Sequence, residues 1–311
     1  MNKILITGGA GFIASALAEK LSEDVANFIV IADNLSTGGR EKIPFSKHNN
    51  IKFIKCDVNK LSDITSVFHA FSFDYVFHYA ALVGVKRTLQ NPVRVLRDIS
   101  GIKNILNLSK NTGVKRVYYS SSSEVYGEPV EIPQNELTTP LNSRLPYAIV
   151  KNVGEAFLKA YKTEFDLDYT IFRFFNTYGP KQSKDFVVSK FIQSALKNEP
   201  ITIYGNGSQT RTFCYISDNI EATTKLFYEN LNINEVINIG NDKETSILEL
   251  AKIILELTQS KSEIQFLPPL EEGDMSRRCP DISKMKGILN RELIPLETGL
   301  KRVLENPTFI V

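Results

Sequence analysis

Tyr147 and Lys151 stand four residues apart in Pro146-Tyr-Ala-Ile-Val-Lys151. On a helix that spacing puts both side chains on one face, one turn apart. An ammonium beside a phenol favours the phenolate, and a phenolate held near neutral pH can take a proton from a hydroxyl. The same spacing occurs on ordinary surface helices, so its meaning depends on what accompanies it. Thr7-Gly-Gly-Ala-Gly-Phe-Ile13 is a glycine-rich turn between Lys3-Ile-Leu-Ile-Thr7, which reads as a buried strand, and an apolar-faced helix over Gly11 to Leu21. Glycines let the backbone turn sharply and approach a pyrophosphate, whose charge then meets the unpaired N–H groups of a helix N-terminus. Asp33 ends the second apolar run at 25 residues beyond Gly8, close to the spacing at which a carboxylate accepts from the ribose hydroxyls. Together these residues predict a dinucleotide cofactor. The Asp33 charge would repel a 2′-phosphate and favours NAD over NADP, whereas Arg40 in the following loop could hold that extra phosphate.

The elements that must position these residues follow from the apolar pattern. Runs at Lys3 to Thr7, Phe28 to Ala32, Ile51 to Lys55, Tyr75 to His78, Lys115 to Ser121 and Tyr169 to Phe174 alternate with helix-like stretches at Gly11 to Leu21, Leu61 to Ala70, Val93 to Lys110 and Arg144 to Phe165. That alternation predicts an α/β fold, a Rossmann-type doubly wound parallel sheet, which binds ligands at the C-terminal ends of its strands. The glycine turn, Asp33, Asp57, Ala80-Ala81 and Ser120 to Glu124 all follow predicted strands and would share one crevice. Beyond Asn176-Thr-Tyr-Gly-Pro180 the elements shorten: a helix near Val187 to Lys197, a strand over Pro200 to Tyr204, and helices near Ile247 to Leu257, Ser283 to Leu289 and Glu297 to Glu305. We read residues 1–178 as the dinucleotide-binding domain and 179–311 as a smaller substrate-binding α/β region, with chain crossings between them. Pro268-Pro269 and Glu271-Glu-Gly-Asp274 mark a loop.

Composition narrows the class. The chain has 311 residues, 42% of them hydrophobic, and a net charge of +2. Its longest apolar runs fall far short of the roughly 18 residues that suggest a membrane span. Acidic and basic residues are mixed along the chain, so no global field points to nucleic acid or to a membrane surface. Cys56, Cys214 and Cys279 are too widely spaced for a disulfide framework or a metal cluster, and read as buried thiols. His48, His69 and His78 form no metal-binding pair at helical spacing; His78 reads as a core histidine, and no metal is expected. Met1-Asn2-Lys3 runs straight into a strand without the apolar core and cleavage site of a signal peptide, which gives an expectation of a cytoplasmic location.

In this order the motifs resemble those of the extended short-chain dehydrogenase/reductases that modify nucleotide sugars, among them epimerases, 4,6-dehydratases and uronate decarboxylases. The resemblance covers nearly the whole chain. It rests on Thr7 to Ile13, Asp33-Asn-Leu35, Cys56-Asp-Val58, His78-Tyr-Ala-Ala81, Ser121-Ser-Ser-Glu-Val-Tyr-Gly127, Tyr147 to Lys151, Arg173-Phe-Phe-Asn-Thr-Tyr-Gly-Pro180 and Gly207-Ser-Gln-Thr-Arg-Thr-Phe213. It implies that Tyr147 is the base acting on a sugar C4 hydroxyl, that Lys151 supports it and holds a nicotinamide ribose hydroxyl, and that Ser122, with Ser123 and Glu124 beside it, completes the catalytic set. It further implies NAD contacts from Gly8, Gly11, Phe12, Ile13, Asp33, Asn34, Asp57, Val58, Ala80 and Ala81. The substrate's nucleotide diphosphate would fall to Asn176 and Arg211, an arginine fork and an amide donor being suited to phosphate oxygens. The family's third glycine is Ala14 here, at a position that governs helix-to-strand packing, where one methyl is tolerable.

From a common 4-keto intermediate three outcomes branch: elimination of a C6 hydroxyl, loss of carbon dioxide from a C6 carboxylate, or return of the hydride to the other face. Glu124 resembles the glutamate of dehydratases and decarboxylases, and Arg278 in Glu271-Glu-Gly-Asp-Met-Ser-Arg-Arg-Cys-Pro-Asp281 resembles the arginine that meets a substrate carboxylate. Ile149-Val150 departs from the decarboxylase pattern. The reading leans to UDP-glucuronate decarboxylation or 4,6-dehydration, with C4 epimerisation as the alternative and a catalytically silent NAD-binding protein as the alternative of another class. By the same likeness, the helices near 93–110 and 144–165 could pair in a homodimer, or pack within one subunit.

Overall fold

The computed structural model describes residues 1–45, 49–269 and 275–306. His48 and the Glu271 to Asp274 segment lie outside the described residues. The elements run, in chain order, β1 (Asn2–Thr7), α1 (Phe12–Ser22), β2 (Asn27–Asp33), β3 (Ile51–Lys55), α2 (Leu61–Phe71), β4 (Tyr75–His78), α3 (Val85–Gln90), α4 (Pro92–Leu96), α5 (Asp98–Thr112), β5 (Arg116–Ser122), α6 (Pro146–Phe165), β6 (Asp168–Phe174), β7 (Thr177–Tyr178), α7 (Val187–Leu196), β8 (Ile201–Tyr204), β9 (Thr210–Thr212), β10 (Cys214–Tyr215), α8 (Ile216–Tyr228), β11 (Glu235–Ile239), β12 (Glu244–Ser246), α9 (Ile247–Thr258), β13 (Ile264–Leu267), α10 (Ser283–Leu289) and α11 (Leu296–Leu304).

The main sheet has seven strands in the order β11-β6-β5-β4-β1-β2-β3. The pairings from β3 across to β6 are all parallel. The chain moves outward from β1 in both directions, so the order reverses between β1 and β4, where a doubly wound sheet opens a crevice at its strand ends. The six strands expected from the apolar runs are present. The seventh, β11, carries only a short Val236-Ile-Asn-Ile239 run and takes its place at the edge beside β6. The central strands are buried on both faces, which is why Ile4-Leu5-Ile6 and Ile29-Val-Ile-Ala32 read as continuous apolar runs rather than alternating ones. Helices α2, α5 and α6 cover one face, where Phe68, Phe73, Ile102, Ile105, Val150 and Leu158 form a core with Leu5, Val30, Val76 and Val117 from the strands.

One expected helix is divided. The stretch predicted as Val93 to Lys110 is two helices, broken at Arg97, where the Ser100 amide bonds only three residues back to the Arg97 carbonyl. The chain forms two compact units, one of residues 1–125, 143–174 and 220–237, the other of 126–142, 175–219 and 238–311. Two segments, 126–142 and 220–237, return to the unit opposite their sequence neighbours. No helix among the described residues is long and apolar enough to cross a membrane.

Candidate active site

The glycine turn is built by backbone constraints that only glycine meets. Gly8 has φ +69°, and a Cβ there would lie 2.7 Å from the Ala80 backbone. Any side chain would therefore push β1 and β4 apart where the crevice opens. The Gly8 amide bonds to the Ala32 carbonyl at 2.8 Å, and the Gly11 amide to the Gly8 carbonyl at 2.9 Å. Gly11 is the N-cap of α1, makes no side-chain cap, and is followed by a first turn with no acidic residue. The N–H groups around Phe12 and Ile13 are thus left for an anion, as a pyrophosphate requires.

Asp33 does more than the sequence suggested. Its Oδ2 accepts from the Ala10 amide at 3.0 Å and its Oδ1 from the Leu35 amide at 2.7 Å, so the carboxylate also fastens the glycine turn to the end of β2. Burial pushes its carboxyl up, against the two amides and the more distant Lys42. Asn34 is exposed and accepts from the Ser36 amide. Arg40 stacks on Phe53 at 5.3 Å. At the end of β3, Asp57 accepts from the Asn59 amide and Val58 is buried. Ala80 and Ala81 follow β4, and Thr7 holds the start of this loop: its Oγ1 accepts from the Tyr79 and Ala80 amides, each at 3.2 Å. With both lone pairs engaged, the Thr7 hydroxyl donates to His78 Nδ1, 2.8 Å away. Burial, then the Lys151 charge, pushes the His78 imidazole down to about 3, so it is a neutral core histidine.

The phenol and ammonium lie at the start of α6, which begins with Pro146 at its first turn. Lys151 is buried, and its Nζ donates to the Ser120 carbonyl at 2.6 Å and to Ser120 Oγ at 3.3 Å. The ammonium lies 5.0 Å from the centre of the Tyr119 ring and 5.7 Å from that of Tyr147. Burial pushes Lys151 down to about 8, with Asp98 opposing. Tyr147 is half-buried against the core beneath α6. Ser122 ends β5, is buried, and accepts from the Glu124 amide at 3.2 Å, which leaves its hydroxyl proton free to donate. Ser123 is buried in the short 3-10 turn that follows, and Glu124 is half-buried there. The first unit therefore brings the glycine turn, the strand-end loops, Ser122 and the Tyr147–Lys151 pair to the C-terminal ends of one sheet. Sequence reasoning missed Asp98 and the Ser120 carbonyl. An acid opening a helix reads as an ordinary first-turn residue, and a backbone acceptor leaves no trace in side-chain types.

In the second unit, Asn176 carries a shielded Nδ2 with no protein partner among the described residues. Arg211 is buried in β9, and its Nη1 donates to the Thr210 carbonyl at 2.7 Å. Arg278 is buried, with Nε 3.1 Å from Met275 Sδ, whereas its neighbour Arg277 is exposed and paired with Glu244 at 2.5 Å. Of the two adjacent arginines, Arg278 is thus the one held inside.

The fold and the phenol–ammonium pair define a dinucleotide-dependent enzyme of the doubly wound α/β class. The chain belongs to the NAD dependent epimerase/dehydratase family, whose model matches residues 4–240. It is 38% identical to UDP-glucuronic acid decarboxylase 1 of Danio rerio, the match covering 97% of this chain and 72% of that one. It is 36% identical to UDP-glucuronic acid decarboxylase 3 of Arabidopsis thaliana, over 98% of this chain and 88% of that one. Among solved structures it is similar to UDP-glucose 4-epimerase of Thermotoga maritima with UDP-glucose, at a TM-score of 0.90 and 33% identity, covering 97% of both chains.

Proposed function

We propose that this enzyme modifies a UDP-sugar by transient oxidation at C4, and that its product is formed by decarboxylation of UDP-glucuronate. The observation that carries the reading is the Lys151 ammonium, buried on the Ser120 carbonyl and next to the Tyr147 ring. NAD, held by Gly8, Gly11, Phe12, Ile13, Asp33, Asn34, Asp57, Val58, Ala80 and Ala81, would supply a reversible hydride acceptor. Tyr147, as phenolate, takes the proton of the C4 hydroxyl; Ser122 donates to that oxygen and holds it in place; Lys151 stabilises the phenolate and orients the nicotinamide ribose. Ser123 and Glu124 shape the wall beside Ser122. A ketone at C4 makes a C6 carboxylate part of a β-keto acid, which loses carbon dioxide readily. In this reading Asn176 and Arg211 hold the diphosphate, the orphaned Asn176 amide being a donor in want of an acceptor, and Arg278 meets the carboxylate.

C4 epimerisation is the second reading, favoured by Ile149-Val150 beside Tyr147 and by the likeness to the Thermotoga maritima epimerase. Incubating the purified protein and NAD with UDP-glucuronate, UDP-glucose, UDP-GlcNAc and GDP-mannose, then resolving products by mass and NMR, tests both. Loss of carbon dioxide supports decarboxylation, loss of water supports dehydration, and unchanged mass with altered ring couplings supports epimerisation. No conversion of any of them, with no reduced nicotinamide formed, would count against the enzyme reading for these substrates.

A cytoplasmic homodimer completes the proposal. The free thiols of Cys56, Cys214 and Cys279 suit a reducing compartment. Val93 and Leu96 on α4 and Ile149 on α6 are exposed apolar side chains available to a second copy. Light scattering should give twice the 35.0 kDa chain mass; a monomer at micromolar concentration would remove the dimer.

A further inference from the structure

Within the second unit, one carboxylate joins the segments that carry Arg211 and Arg278. Strand β9 pairs antiparallel with β12, with Glu244 opposite Thr212 and Ser246 opposite Thr210. Alternation along a strand puts Thr210, Thr212 and Glu244 on one face of this ribbon and Arg211 on the other. On the threonine face, Glu244 Oε1 accepts from the Thr210 hydroxyl at 2.5 Å. The same carboxylate receives a two-pronged bond from Arg277, Nε to Oε1 at 3.1 Å and Nη2 to Oε2 at 2.5 Å. Glu244 thus reaches from the ribbon to the segment 275–279, and grips it at the residue next to Arg278.

Both ends of that segment are held through backbone. The Thr210 amide donates to the Ser276 carbonyl at 3.1 Å, and the Ser276 amide to Glu128 Oε1 at 3.3 Å. Beyond Arg278, the Gln134 amide donates to the Cys279 carbonyl and the Asp281 amide to the Gln134 carbonyl, each at 2.8 Å. Between these anchors Arg277 points outward, and Arg278 is buried with Nε 3.1 Å from Met275 Sδ. An exposed ion pair alone contributes little. A bidentate pair whose acceptor also serves a hydroxyl is geometrically fixed, and fixing Arg277 on the outer face keeps its neighbour on the inner one.

We infer that Glu244 is a positioning residue for the substrate site: by holding Arg277 on the outer face of the β9–β12 ribbon it sets where Arg278 stands relative to Arg211, and so favours a nucleotide sugar with an anionic group beyond its diphosphate. The inference rests on reading Arg278 as the residue that meets the sugar carboxylate, and deepens that reading.

Glu244→Ala removes the grip and leaves both arginines in the chain. In protein carrying 15N-labelled arginine, without cofactor or substrate, the Arg278 Nε–H signal is assigned by its loss in Arg278→Met. Its exchange with water should speed up about three- to tenfold in Glu244→Ala, the scale of one charge-assisted, partly exposed interaction. Arg277→Met cuts the same contact from the other side at an exposed position, so it should show the same change and stands in if the alanine variant does not fold. Glu244→Gln keeps Oε1, which serves both Thr210 and Arg277 Nε, and should fall between. Affinities are then measured by calorimetry with NAD bound, in a Tyr147→Phe background that does not consume substrate. Glu244→Ala should weaken UDP-glucuronate about three- to tenfold while UDP stays within about twofold, and should add nothing once Arg278 is already methionine. Unchanged Arg278 exchange in both Glu244→Ala and Arg277→Met would overturn the inference. So would a loss of affinity that persists in the Arg278→Met background, since Glu244 would then act by another route. Faster exchange with UDP and UDP-glucuronate weakened alike would leave the positioning role standing and remove Arg278 from the carboxylate, so the two readings fail separately.

Discussion

A phenol near a lysine gains chemical meaning from what holds the lysine's charge. Lys151 donates to the Ser120 carbonyl at 2.6 Å, so its ammonium is fixed by backbone at the end of β5 rather than by a mobile carboxylate. Replacing Tyr147 by Phe removes only the hydroxyl and keeps the ring against the core beneath α6. Turnover in Tyr147→Phe should fall on the order of a thousandfold, the scale of lost general-base catalysis, while NAD affinity measured by calorimetry stays within a few-fold. Activity within tenfold of the wild type would remove Tyr147 as the base. At this scale the sequence was informative wherever chemistry depends on residue type: glycine at a left-handed turn, acid after a strand, phenol and ammonium one turn apart. It was silent on bonds that need three dimensions. Asp33 could be read as a ribose acceptor from its spacing, but its hold on the Ala10 amide depends on the glycine turn folding back over β2.

Helix α6 shows the same division among elements. Its end at Phe165 was legible from the apolar face, while its start lies at Pro146, two residues beyond the Arg144 expected. Glu155, by contrast, reads as an ordinary helical glutamate in the sequence, yet it is fully buried. Arg173, on the neighbouring β6, meets it in a two-pronged pair, Nε to Oε1 at 2.9 Å and Nη2 to Oε2 at 2.7 Å, and Ser121 adds a hydrogen bond at 2.5 Å. The pair ties the catalytic helix to β5 and β6 through Ser121, the residue before Ser122. Because the partner would be left as an uncompensated buried cation, Glu155→Gln should destabilise the protein by roughly 3–5 kcal/mol, read as a lower denaturant midpoint. Glu155→Leu combined with Arg173→Met removes both charges and should be milder than the single change. A single variant within about 1 kcal/mol of the wild type would show that the pair is not what binds these elements. The break at Arg97 and the edge strand β11 were not legible for a related reason. Helical periodicity carries through a one-residue interruption, and a four-residue run with an asparagine inside it, Val236-Ile-Asn-Ile239, gains its identity from the neighbour it pairs with.

For the whole chain, the division into units was the least legible feature, because residues 126–142 and 220–237 are assigned by long-range contacts that no local pattern records. What the whole chain does disclose is its response to acid. With a net charge of +2 near neutrality, no large self-repulsion acts there, so sensitivity on acidification should come from buried groups that change protonation. His78 is one, pushed by burial from an ordinary 6.5 down to about 3. As pH falls the unfolded chain takes up this proton first. The stability from His78 is therefore fully present above about 6.5 and is lost as pH drops toward 3, at about 1.4 kcal/mol per pH unit between those limits. Lys151, pushed down to about 8 from 10.5, acts in a different window: below 8 it is charged in both states and adds no slope. In His78→Asn the amide oxygen can still accept the Thr7 hydroxyl proton without titrating. Stability of the first unit, followed by hydrogen exchange of β1 and β4 amides between pH 7 and pH 4.5, should fall more steeply in the wild type than in His78→Asn by close to that slope. Parallel curves for the two proteins would show that His78 already carries its proton in the folded state, and that the Thr7 hydroxyl points elsewhere.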